Sequence, residues 1–241
     1  MERLALPILK DLIPDGFEYG TSLIVEYEPH SIWYESSLAI VANALRSGIR
    51  TDYHAYAHSP DEIIEDLAKF GLDIPKLEDE DFFRILDSYS IQIGASPRKS
   101  KAPRHYSESL DVTNWKYDRR DELGRELDET HKRRLHIDDD ASVILRYNSE
   151  AKLLDMNRTK GRPYFKALEL AMIVAVPLGV ASSSFYAQYE LMNDGIIEFR
   201  SEEEGGRMQQ LVRVRKMRGK SYDTRWRKLK LLDNGEVELS D

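Results

Sequence analysis

The sequence predicts an α/β fold, with a mostly parallel central sheet flanked by helices and antiparallel strands near the C-terminus. Three observations predict it. Short apolar runs alternate with helix-period segments from Leu23 to Asp87. Each of the first two runs is followed by an amphipathic helix that ends at a glycine, the crossover that parallel strands require. Beyond Asp194 the pattern changes to short apolar runs, with Gly205-Gly206 as a hairpin turn.

The elements follow in order. Leu23-Ile24-Val25, preceded by Gly20, reads as a buried strand. Ser36 to Leu45 places Leu38, Val41, Ala42 and Leu45 on one helical face, and Gly48 lies just beyond as a stop. Thr51 to Tyr56 reads as the second strand. Ser59 is the expected N-cap of the next helix, Pro60 its first residue and Glu62 the partner in a capping box. Ile63, Ile64, Leu67 and Phe70 form its buried face, and Gly71 ends it. Phe83 to Asp87 is the third strand. The stretch 95–140 is polar and charged, and reads as a charged insertion or mobile region in which Trp115 to Leu135 is a candidate helix. Val143-Ile144-Leu145 resumes the strand signal. Lys166 to Val176 is then a helix candidate and Gly179 to Tyr186 is strand-like. Gly195 to Phe199, Leu211 to Val214 and Trp226 to Leu231 complete the strands.

A chain of 241 residues with 41% hydrophobic residues can form one domain spanning 1–241 with a sizeable core. Its net charge of −8 makes nucleic acid an unlikely partner, since a general binder needs a positive surface field. There is no cysteine, so disulfides and thiolate metal sites are excluded. That fits a reducing compartment or a thermophile. Met1-Glu2-Arg3-Leu4 lacks signal-peptide features, and the most apolar stretch, Ala167 to Val180, is too short for a bilayer and contains Glu169 and Pro177. The expected location is cytoplasmic, without a membrane partner.

Several stretches together resemble the KaiC-like branch of the RecA superfamily. The clearest is Asp194-Gly195-Ile196-Ile197-Glu198-Phe199 through Glu202-Glu203-Glu204-Gly205-Gly206-Arg207, continuing into Arg213-Val214-Arg215-Lys216-Met217-Arg218-Gly219 and Asp223-Thr224-Arg225-Trp226. Ser59-Pro60-Asp61-Glu62-Ile63-Ile64 with Phe70-Gly71-Leu72-Asp73 resembles the helix after the family's second strand, and Ile85-Leu86-Asp87-Ser88-Tyr89 its third strand. The resemblance implies a RecA-like fold and an ATP site, and it is at the ATP site that this sequence departs. The family's phosphate loop, G-x-x-x-x-G-K-[ST], wraps phosphates in backbone N–H groups. The corresponding residues here are Tyr27, Glu28, Pro29, His30, Ser31, Ile32, Trp33 and Tyr34. Tyr27 and Ile32 stand for glycines, Trp33 for the lysine and Tyr34 for the magnesium-binding hydroxyl, and no Gly or Lys occurs from Thr21 to Arg46. Ala57 and His58 replace the glutamate pair that activates water. Arg146, after Val143-Ile144-Leu145, is expected where the fourth strand's aspartate would hold magnesium. The resemblance also marks Arg215, Lys216 and Arg218 as a candidate intersubunit basic loop, since their equivalents reach towards a neighbour's ATP.

Other signals carry less. His54 and His58 are four residues apart near His30, with Glu26, Glu28 or Glu35 as further ligands, but on a strand they lie roughly 13 Å apart, so no metal is expected. Tyr27, Trp33, Tyr34, Tyr53 and Tyr56 either plug the vacated cradle or line an aromatic pocket at the carboxyl end of the sheet. Arg98 to Tyr106 interleaves cations with Tyr106 and reads as a solvated loop. The reading is a non-catalytic regulatory or assembly subunit without cofactor, partnered by itself and a KaiC-like paralogue. The alternative is a small-molecule sensor or enzyme using the aromatic pocket.

Overall fold

The structure, a computed structural model, describes residues 3–4, 6, 8–102, 109–115, 117, 120–121 and 123–241. The chain opens with a two-stranded ribbon, β1 (Arg3–Leu4) against β2 (Phe17–Glu18), joined by α1 (Leu9–Leu12). Strand and helix then alternate. β3 (Ser22–Tyr27), α2 (Trp33–Arg46), β4 (Thr51–Ala55), α3 (Pro60–Lys69), α4 (Ile74–Asp79), β5 (Phe83–Asp87) and α5 (Tyr89–Gln92) follow one another. The end of the charged stretch forms β6 (Leu135–Asp138), and α6 (Ser142–Leu145) and α7 (Glu150–Met156), a π-helical turn over Asn157–Gly161, then α8 (Arg162–Ala167), β7 (Ala171–Pro177) and α9 (Ser183–Met192) follow. Four strands close the chain: β8 (Gly195–Glu204), β9 (Arg207–Met217), β10 (Arg227–Leu231) and β11 (Val237–Ser240).

Among the described residues nine strands form one sheet in the order β11-β10-β9-β8-β3-β7-β6-β4-β5. From β5 to β8 every pair is parallel, and from β8 to β11 every pair is antiparallel. The predicted α/β fold, mostly parallel with antiparallel C-terminal strands, is the one observed. The helix after β4 starts as expected. The Ser59 side chain accepts from the Glu62 N–H while Glu62 accepts from the Ser59 N–H, with Pro60 at the first position. Gly48 and Gly71 leave their helices at φ of 75° and 78°, the left-handed region glycine enters without a Cβ penalty.

Four expected elements are corrected. The described residues of Trp115 to Leu135 do not form the expected helix, because Asp121 accepts from the backbone of Leu123 and Arg125 and fixes a loop that competes with helical bonding. Val143-Ile144-Leu145 lies in α6, and the strand is β6, eight residues earlier at its start. Lys166 to Val176 is split between α8 and β7. Glu169, at φ 52°, breaks the helix, and a continuous apolar run does not distinguish helix from strand by period. Gly179 to Tyr186 leads into α9, capped by the Ser182 hydroxyl on the Phe185 N–H.

Side-chain alternation divides the core into two layers. Leu23, Val25, Tyr53, Ile137 and Ile173 face α2, α3 and the N-terminal ribbon. Ile24, Tyr56, Met172, Val174 and Ile196 face the other layer, built from α6 to α9 and the segment Leu110–Trp115. No helix among the described residues is long and apolar enough to cross a membrane.

At the amino ends of β4 and β6, Arg134 is fully buried and donates to Asp52 at 2.6 Å and to the carbonyls of Thr51, Asp81 and Phe82. This clamp fixes the register of three strands. Arg134→Met leaves Asp52 as an unpaired buried charge and is expected to cost about 3–5 kcal/mol in urea unfolding. Adding Asp52→Leu should recover part of that loss in a double-mutant cycle.

Candidate functional site

In parallel α/β sheets ligands gather outside the carboxyl ends of the strands, so the site is built from the exits of β3, β4 and β6. The β3 exit, Glu28 to Ile32, is bound to β8 and β9. The Glu28 N–H donates to the Phe199 carbonyl, the Glu28 carboxylate accepts from the Ser201 N–H, and the Ile32 N–H donates to Gln210. Trp33 opens α2 and is 2% exposed. Its ring meets Phe199 edge-on at 5.3 Å and lies 6.3 Å from Tyr27. The indole N–H donates to the Asp139 carbonyl at 2.9 Å. Tyr34 stacks on His58 at 3.6 Å and donates its hydroxyl to Asp66. Pro29 and His30 are exposed, and Ser31 bonds back to the Glu28 carbonyl.

The β6 exit is the run Asp138-Asp139-Asp140. Asp139 accepts from the backbone N–H groups of Tyr56, Ala57 and His58, and its carboxylate lies 3.3 Å from the His58 ring. Asp140 accepts from the Ser142 N–H just ahead of α6. Arg146 does not stand at a strand end. It follows α6, so the expected replacement of a carboxylate by arginine is corrected: aspartates occupy the carboxyl end of this parallel strand. The signal was misread because buried charge resembles a solvated loop in sequence. Ala57 and His58 do lie at the β4 exit, Ala57 exposed and His58 half-buried.

The family model "ATPase: KaiC" matches residues 39–238, most of the chain. The chain belongs to the KaiC ATPase family. The UPF0273 protein MJ1359 of Methanocaldococcus jannaschii is 26% identical over 192 residues, covering 78% of this chain and 74% of that protein. Among solved structures, the KaiC-like protein PH0186 of Pyrococcus horikoshii aligns with a TM-score of 0.66 at 15% identity, over 100% of this chain and 99% of that one. At that identity the likeness concerns the RecA-type fold alone.

The basic segment of this KaiC-family chain is not a loop up to Met217. Arg215 and Lys216 lie in β9, because that strand extends to pair with the start of β8. Arg215 pairs with Glu26, Glu190 and Glu198, Lys216 reaches the Glu190 carbonyl, and Arg218 pairs with Asp194. All three cations are engaged within the chain. The five aromatic residues also fail to share one pocket. Trp33, Tyr53, Tyr27 and Tyr34 pack in the α2 layer, whereas Tyr56 points into the opposite layer. Arg98 pairs with Glu78 and Lys101 bonds the Asp79 carbonyl, while 103–108 lie outside the described residues.

Sequence reasoning missed a polar cluster beneath the sheet. His54 joins His136 and Asp138, not His58 or His30. Asp138 Oδ1 lies 3.2 Å from His54 Nδ1 and 3.0 Å from His136 Nε2, and His54 Nε2 lies 2.7 Å from the Ser88 hydroxyl. All three side chains are buried, and their donor atoms lie within 4.8 Å of one another, so among the described residues this is a set that could hold a metal. Burial opposes ionisation of Asp138, but the bonds from His136 and His54 outweigh it and hold the carboxyl well below the usual range. Burial lowers His54, whereas Asp138 outweighs burial at His136 and raises it. The available signal was alternation: Asp52 and His54, then His136 and Asp138, put polar groups on one face of strands that a two-sided parallel sheet should bury as apolar.

Glu26 is a further buried acid on this face, 2% exposed and held by Arg215. Burial, reinforced by Glu190 and Glu198 and opposed by Arg215, pushes its carboxyl up from 4.5 to about 7. The folded state therefore binds a proton more readily than the unfolded chain. The corresponding stability is fully present below pH 4.5 and is lost as the pH rises to about 7. Compared with Glu26→Gln, the wild type should lose stability between those limits, by about 1–3 kcal/mol in urea titrations.

Proposed function

We propose that this chain is a non-catalytic member of the KaiC family that neither binds nor hydrolyses ATP and acts as a regulatory or assembly subunit, through contacts with copies of itself or with a KaiC-like paralogue. The observation that carries this reading is the seat of Trp33. A nucleotide cradle needs free N–H groups at the helix start and room for phosphates. Here a buried indole occupies the start of α2 and is bonded to Asp139. The residues present do not fit a nucleoside triphosphate.

The neighbouring groups support the same conclusion. Asp139 stands at the β6 exit, but its carboxylate already accepts backbone N–H groups from three residues. Using it for magnesium would leave those donors unpaired, at about 1–3 kcal/mol each. Ala57 and His58 supply no carboxylate to orient water. Glu28 adds negative charge beside the vacated cradle, worth roughly 4 kcal/mol against a phosphate at contact distance and intermediate dielectric. An assembly role is favoured by the exposed Leu178 and Val180 in the connection after β7, at this same end of the sheet.

ATP with magnesium is expected to give no melting shift and no phosphate release, while light scattering shows concentration-dependent self-association. A nucleotide-dependent melting shift would overturn the first half, and a strict monomer at high concentration the second. The triple graft Ile32→Gly, Trp33→Lys and Tyr34→Thr should restore ATP binding but not hydrolysis. Loss of the Trp33 plug is expected to cost about 3–5 kcal/mol. A graft that folds yet ignores ATP would mean that Tyr27 to Tyr34 is not the former phosphate loop.

A further inference from the structure

The layer opposite α2 contains a cavity of about 510 Å³. It lies between the underside of β3, β6 and β7 and the cover formed by α7, the π-helical turn, α8 and α9. It is separate from the Trp33 cradle, which lies in the other layer. Its volume falls within the range of small-molecule sites. At about 30 Å³ per non-hydrogen atom, a liquid-like packing, it has room for on the order of fifteen such atoms.

The lining has two chemical characters. The body is apolar: Trp115, Phe165, Val174 and Tyr189, with Met156 and Met172, whose flexible thioethers adapt to different ligand shapes. One flank is cationic. Arg158, Arg162 and Lys166 follow at four-residue intervals through the π-helical turn and α8, and all three line the cavity. None forms an ion pair among the described residues, although most other arginines of this chain do. A π-helical turn is a rare interruption that often marks functional sites. Here it falls within the row of cations.

We propose that this cavity binds a small amphipathic organic anion, its apolar body packed against Trp115, Phe165 and Val174 and its carboxylate or phosphate head held by Arg158 and Arg162. The orientation follows from charge. Asp138 also lines the cavity, but its carboxylate is taken up by His54 at 3.2 Å and His136 at 3.0 Å. An anionic head is attracted to Arg158 and Arg162, which line the cavity and form no ion pair among the described residues. The apolar lining strips water from the body of the ligand, and charge-assisted hydrogen bonds select the head.

The test uses the full chain and calorimetry with four probes: decanoate and octyl phosphate as amphipathic anions, 1-octanol as a neutral body, and inorganic phosphate as a head without a body. At least one amphipathic anion should bind one-to-one, with octanol and phosphate each weaker by about tenfold or more. Arg158→Gln with Arg162→Gln, on the outer side of the cavity, should weaken that anion by about tenfold. Val174→Trp should fill the cavity and abolish binding. Should Val174→Trp fail to fold, the arginine variant decides alone. The proposal is overturned if neither anion binds at concentrations up to on the order of 1 mM, if octanol binds as tightly as octyl phosphate, or if the folded arginine variant binds like the wild type.

Discussion

Asp139 joins three pieces of chain at the open end of the sheet. Its carboxylate gathers the N–H groups of Tyr56, Ala57 and His58 as β4 ends, and its carbonyl receives the Trp33 indole as α2 begins. Each of those N–H groups would otherwise lack a partner, since a strand exit has no ladder to donate to. A single buried carboxylate thus satisfies the backbone donors of one strand exit, at the end of the sheet where ligands gather in this kind of fold. Neighbouring segments gather around the same end. Phe199 packs against Trp33, and the Glu28 segment is drawn onto β8.

The same parallel strands carry an unusual load of buried polar groups on their other face. Asp138 with its two histidines, Glu26 with Arg215, and Asp52 with Arg134 all lie close to the sheet. Each is an acid next to a cation or a cation-forming imidazole, and in each the separation is hydrogen-bonding or close to it. Buried charges of this kind cost more to desolvate than surface pairs, and breaking one partner is far worse than replacing both. They make strand register unforgiving, because a slip of one residue would carry every such group to the α2 layer.

Most of the early sheet was legible in the sequence. β3, α2, β4, α3 and β5 were readable because their signals are local: a capping box, glycine stops and apolar runs of the right length. The hairpin at Gly205-Gly206 was readable for the same reason. β6 was not. Leu135-His136-Ile137-Asp138 looks half polar because the partners that justify its charge, His54 above all, lie far away in the chain. The misplaced fourth strand then moved the expected carboxylate position to Arg146. The division between α8 and β7 was hidden by an apolar run that either element would accept, and it turns on the backbone at Glu169. At the candidate site, the crowding at Trp33 was readable from residue type. The engagement of Asp139 by three backbone donors was not, because backbone partners leave no trace in composition.

The two layers also differ in how space is used, and the energetics bear on what the cavity is. In the α2 layer large aromatic side chains, Trp33 and Tyr53 among them, fill the space beside the sheet. In the opposite layer about 510 Å³ remains unfilled. At roughly 24 cal/mol per Å³, a dry, unrelaxed void of that size would cost on the order of 10 kcal/mol, comparable to the whole stability of a domain. A dry void of that size is therefore untenable. Water admitted past the polar side chains relieves part of the cost, but it leaves Trp115, Phe165 and Val174 wetted. An apolar body with an anionic head relieves both, covering those side chains and supplying the arginines with a counter-charge that no described residue pairs with them.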